Sequence, residues 1–170
     1  MAMRWLLALT LVATLAAACH GSASGSASGR AVDGPFTVEI TSAKSEYAAG
    51  EPIQVAATLT YTGPAASVRI THALQTIGFG VDGFLNGNVE PIWAQSCGST
   101  ELQRGEPLTV PFAKTGASMT PDPAFSAFMT DSILRLPLGV WHVYAVGAFS
   151  EGDCGDPGRN IRAEVVITVA

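Results

Sequence analysis

The chain is poor in charge. Asp, Glu, Lys and Arg make up 14% of its 170 residues, where about a quarter is usual. The nine basic residues form no cluster, so the electrostatic footprint of a nucleic-acid binder is missing. Histidine is scarce too. The three present show neither H-x-x-x-H nor H-E-x-x-H spacing, and a zinc or copper site needs three or four N, S or O ligands. No serine stands in a G-x-S-x-G elbow, the strained turn that exposes a hydrolase nucleophile. Among fourteen acidic residues pairs arise by chance, so none is singled out for glycosidase chemistry. The expectation is a non-enzyme without a cofactor. What is abundant is apolar material, 48% of the chain, enough to offset the entropy of ordering and exclude a disordered protein.

A long hydrophobic run is also lacking. Arg4 precedes fourteen uncharged residues, Trp5 to Ala18, before Cys19-His20-Gly21-Ser22 ends the stretch. A spanning helix needs about 20. A charged start, a short apolar stretch and small residues at its end are the parts of an export signal. Ala16-Ala17-Ala18 suits an ordinary A-x-A cleavage site. Leu15-Ala16-Ala17-Ala18-Cys19 resembles a bacterial lipobox, with the leucine one place early and Ala16 in its position. That resemblance implies that Cys19 becomes the lipidated first residue of the mature protein. A lone cysteine there has no other evident use. Gly21 to Gly29, all Gly, Ser and Ala, reads as a flexible tether reaching about 15–20 Å. The expected organisation is an export signal at 1–18, lipidation site and tether at 19–33, and one domain at 34–170. The expected address is the outer side of the cytoplasmic membrane or the outer membrane, with the bilayer as partner through the N-terminal lipid.

Export places the other two cysteines in an oxidising compartment. Cys97 and Cys154 sit in turn-rich segments, and a disulfide between them would contribute roughly 4 kcal/mol by constraining the unfolded chain. A redox or metal-binding pair would want C-x-x-C spacing or a nearby histidine, and neither is present.

From about Gly34 the chain alternates. Phe36, Val38 and Ile40, then Ile53, Val55, Ala57, Leu59 and Tyr61, recur at the period of half-buried strands. Further strands are predicted at Val68–Ile70, Ile77–Val81, Val89–Trp93, Leu108–Phe112, Ile133–Leu136, Val140–Phe149 and Arg162–Val169. Asn86-Gly87 is the dipeptide of a type I′ hairpin turn. One helix breaks the pattern: Asp122 caps it, Pro123 starts it, and Phe125, Phe128 and Met129 share a face. Such a series of short strands predicts an all-β, antiparallel β-sandwich with one short helix near 122–130.

Tyr47-Ala-Ala-Gly50-Glu-Pro-Ile-Gln-Val55 is similar to the Y-x-x-G-E-x-[IV]-x-V lead-in to the second strand of bacterial immunoglobulin-like and macroglobulin-like domains. Leu136-Pro-Leu-Gly139-Val-Trp141 looks like the turn into a late strand of the same folds. The resemblance implies an immunoglobulin-like sandwich and no substrate. Those families often carry a tyrosine where this chain has Trp141, so it implies no tyrosine-corner hydrogen bond. Among families with such a domain are the BsuPI-like proteinase inhibitors.

Other features have local readings. Gly78-x-Gly80-x-x-Gly83 matches the dinucleotide fingerprint, but lies in an alternating strand without the helix that would hold the pyrophosphate. Glu151, Asp153, Asp156 and Asn160 could offer oxygens to calcium, at a spacing foreign to an EF-hand. In the Val140–Phe149 strand Trp141, Val143, Ala145, Gly147 and Phe149 are expected inward. That turns His142, Tyr144 and Val146 outward as a possible partner face, unusually apolar for an outer surface. The short helix is expected to cover that face, with Phe125, Phe128 and Met129 over Tyr144 and Val146; the alternatives are a face open to a partner and a helix that plugs the sandwich end. The resulting expectation is a cell-surface lipoprotein that binds an envelope protein or glycan or serves a structural role, with an extracellular proteinase inhibitor as the alternative.

Overall fold

The computed structural model describes residues 25–84, 89–94, 96–114, 123–154 and 156–170. The export signal, Cys19, the Asn86-Gly87 turn and the Asp122 cap fall outside them. The elements are β1 (Ala27–Asp33), β2 (Phe36–Ser42), β3 (Glu46–Tyr47), β4 (Val55–Tyr61), β5 (Ser67–Asp82), β6 (Gly98–Gln103), β7 (Leu108–Pro111), α1 (Pro123–Thr130), β8 (Gly139–Ser150) and β9 (Arg159–Val169). They build an all-β sandwich with one short helix. One sheet runs β1-β2-β4-β7 and the other β3-β9-β8-β5-β6. All pairings are antiparallel except β3 with β9.

Period-two alternation puts every second side chain between the sheets. Phe36, Val38 and Ile40 of β2 and Ala57, Leu59 and Tyr61 of β4 meet Val143, Ala145 and Phe149 of β8 and Ile161, Val165 and Ile167 of β9, all buried. The two layers touch where Phe36 and Phe149 pack edge-on, ring centroids 4.8 Å apart. Each large side chain buried there contributes about 1.5–3 kcal/mol.

The structure corrects the tether boundary. Residues 27–33 form β1, paired along its whole length with β2. Ala27, Gly29 and Ala31 point inward, and a β-carbon on Gly29 would strike the backbone carbonyl of Glu164. At Gly29, β9 leaves no room for a side chain. Composition alone reads the same smallness as slack.

Strand boundaries also move. The two strands expected at Val68–Ile70 and Ile77–Val81 are one, β5, whose register against β8 shifts between His72 and Ile77. Val89–Trp93 contributes only the Val81–Val89 bridge. Ile133–Leu136 is irregular although Leu134 and Leu136 are buried; the Leu134 carbonyl accepts from Ile53 N–H at 2.9 Å. Burial there satisfies a loop, which apolar alternation cannot distinguish from a strand. β3 is only two residues long, and β6, Gly98–Gln103, is polar but for Leu102, so neither carries an apolar alternation that announces it.

The helix plugs one end of the sandwich. Phe128 packs on Phe84 at 4.2 Å between centroids, and Phe84 on Trp141 at 5.8 Å. Trp141 is on the inward set of β8, so the helix closes the core's end and does not lie over Tyr144 and Val146. Lys114 fixes it there. Its ammonium donates to the carbonyls of Phe128, Asp131 and Ile133 at 2.5–2.9 Å and sits 3.8 Å from the Phe128 ring centroid. A cation there complements the unpaired carbonyls of a helix C-terminus. The Trp141 indole N–H donates to the Pro137 carbonyl, four residues upstream, at 2.8 Å.

Candidate functional site

The outer face of the β3-β9-β8-β5-β6 sheet holds the expected partner residues. Register places Gly78 opposite Val146, Gly80 opposite Tyr144, and Asp82 opposite His142. Across β8 the neighbours are Arg162, Glu164 and Val166. Sequence reading turns His142, Tyr144 and Val146 together to the outer face; the structure keeps them together and closes part of it. Tyr144 is 3% exposed, so it is no free contact surface.

An arm covers it. After Phe84 the chain returns at Val89, whose N–H and carbonyl exchange hydrogen bonds with Val81 at 2.8 and 2.9 Å. The Val89 carbonyl accepts from the Tyr144 hydroxyl at 3.4 Å. Pro91 and Trp93 then lie over Gly78, where a β-carbon would run into both. Gly80 is equally obligatory, since a β-carbon there would occupy the place of the Tyr144 ring. Glycine inside a strand often marks a close approach of another group, and that signal in Gly78 and Gly80 was available in the sequence. The match to a nucleotide fingerprint is therefore a seat for the arm. Past Trp93 the arm reaches Cys97, joined to Cys154 with 5.9 Å between Cα atoms, as the cysteine count predicts.

Beside the arm is a charge network. Arg162 stacks its guanidinium 3.6 Å from the Tyr144 ring centroid and pairs with Asp82 at 2.5 Å and Glu164 at 3.1 Å. Glu164 takes a second hydrogen bond from His142 Nδ1 at 2.5 Å. That hydrogen bond, with partial burial opposing it and Arg162 assisting, holds Glu164 below its ordinary value. Burial pushes the Tyr144 phenol up, while Arg162 opposes the rise. His142 keeps half of its side chain exposed, so an imidazole backed by a carboxylate faces solvent. Such a pair can exchange hydrogen bonds with a polar partner.

The other candidates are spent on structure. His72 donates Nδ1–H to the Ala73 carbonyl at 2.6 Å and bonds Thr100 through Nε2 at 2.8 Å. Of the suggested calcium ligands, Glu151 binds Arg159 at 2.7 Å and Asp156 accepts from Asp153 N–H at 2.8 Å. Among the described residues no three His, Cys, Asp or Glu side chains converge to hold a metal ion.

Two apolar side chains stand out near the disulfide end. Leu74, at the β5 irregularity, is 74% exposed, and Ile92 on the arm is 50% exposed. The Gln75 side-chain amide reaches the Ile92 carbonyl at 3.5 Å and links the two segments. Periodicity misses both, because one lies in a bulge and the other in irregular chain. Comparison with known proteins adds no relative: no family model matches the chain and no curated protein matches it.

Proposed function

We propose that the chain is an exported, lipid-anchored and non-enzymatic module of the bacterial envelope that binds an envelope protein or glycan. Cys19 carries the lipid, and the sandwich presents the arm and its surroundings. The observation that supports this reading best is the Cys97–Cys154 disulfide, because such bonds persist in oxidising compartments outside the cytoplasm. The same bond holds the arm across the sheet, with Ile92 and Leu74 outward at that end and joined through the Gln75 amide. Apolar groups fixed on a rigid support and flanked by polar ones are what a binding surface needs.

The test has two arms. Cys19→Ala is expected to release the protein from membranes or block its maturation, and unchanged partitioning overturns the anchor. A photo-crosslinking residue at Ile92 or Leu74 is expected to give a discrete adduct in cells, absent when it is placed at Val32 on the other sheet. Absence of any adduct at both positions overturns the partner surface.

A further inference from the structure

The start of the described chain shares one end of the sandwich with several exposed apolar residues. The Gly25 carbonyl accepts from Ser45 N–H at 2.9 Å, and the Ser45 carbonyl accepts from Thr168 N–H at 2.9 Å. Thr168 pairs with Val140 at the beginning of β8. At this end Leu138 is 66%, Val140 62% and Ile133 41% exposed. A recess of about 690 Å³ opens beside Ile133, walled by Ser26, Pro52, Ile53, Pro111 and Phe112.

Charges here are neutralised locally. Lys44 pairs with Glu51 and Arg135 with Asp131, while the Lys114 ammonium is engaged by three carbonyls. An apolar end with internally paired charge suits the boundary between lipid headgroups and acyl chains, where binding strength follows buried apolar area.

We infer that this end of the sandwich rests on the lipid bilayer, with Ile133, Leu138 and Val140 in the headgroup–acyl boundary. The inference rests on the reading of Cys19 as the lipid-bearing residue. Residues 20–26 alone separate Cys19 from β1, and seven residues span at most about 25 Å even fully extended. A lipid on Cys19 therefore brings this end, and not the Leu74 end, against the membrane. The Ile92–Leu74 surface is then turned away from the bilayer.

Tryptophan scanning of the full acylated protein in phosphatidylethanolamine–phosphatidylglycerol vesicles with brominated acyl chains tests this. Leu138→Trp is expected to lose at least about half of its added fluorescence, because bromine on the acyl chains quenches only at short range and an interfacial side chain enters the headgroup–acyl boundary by about 5–10 Å. Leu74→Trp is expected to keep its added fluorescence. Both positions are solvent-exposed, and circular dichroism confirms that each variant folds. Mass spectrometry of Cys19 separates the two ideas. An acylated, vesicle-bound protein with unquenched Leu138→Trp, or with Leu74→Trp quenched equally, overturns the orientation alone. A Cys19 without lipid overturns the anchor and the orientation with it.

Discussion

Tyr144 and Gly80 stand opposite one another on β8 and β5, and the phenol ring fills the space that a β-carbon on residue 80 would take. A side chain missing from one strand thus lets the ring on the next lie flat beneath the Val89 carbonyl, with Arg162 stacked on it. The outer face of this sheet is finished by chain returning from its own strand.

Filling that space is expected to cost stability. Gly80→Val should destabilise the fold by about 1–3 kcal/mol, the usual range for overpacking. Gly78→Val should do the same by displacing Pro91 and Trp93. Urea unfolding measures both, and wild-type midpoints would contradict the seat.

Removing the disulfide should release the arm. Cys97→Ser with Cys154→Ser closes no loop across its sequence separation of 57 and is expected to lose about 2–4 kcal/mol. Trp93 should become more exposed, seen as a red-shifted emission. Unchanged emission and unfolding midpoint would show that the arm holds its place without the bond.

Lys114→Met keeps the stem and removes the ammonium from three carbonyls and the Phe128 ring. Hydrogen bonds to charged groups contribute about 1.5–3 kcal/mol, so α1 should become the preferred site of limited proteolysis. If cleavage within 123–130 does not increase, Lys114 is not what holds the helix.

Acid should weaken the fold through lowered carboxylates. Glu164 is depressed by His142, then Arg162 against partial burial; Glu51 by Lys44 and the Ala48 N–H; and Asp131 by the Ile133 N–H, then Arg135. A carboxyl whose folded value lies below its unfolded one contributes stability that is complete above the unfolded value. It is lost as pH falls through the folded one. The unfolding midpoint should therefore hold above pH 4.5, the ordinary glutamate value, and fall below it. Glu164→Gln should flatten part of that fall, and an identical acid profile in the variant would remove Glu164 from the account.

Gly29→Val is expected to lift β1 from the edge of β9, because the new side chain meets the Glu164 carbonyl. Hydrogen exchange at residues 27–33 should accelerate while the β8–β9 pairing stays protected. Equal protection of β1 in variant and wild type would mean that the strand tolerates bulk there.

By itself the sequence determined what local pattern and composition control. Alternation set the inward faces of β2, β4, β8 and β9, because a strand buries every second side chain whatever lies opposite it. Pro123 and the Phe125–Phe128–Met129 spacing placed α1, and two cysteines in turn-rich chain implied one bond. Everything that depended on what lies across a gap was decided by the tertiary structure. Gly29, Gly78 and Gly80 are read as slack or coincidence until the carbonyl of Glu164, the Trp93 ring and the Tyr144 ring arrive beside them. Tyr144 looks outward by parity and is buried because an arm distant in sequence crosses it. Periodicity assigns a side chain to a face; only the packing of non-adjacent segments decides whether that face meets water.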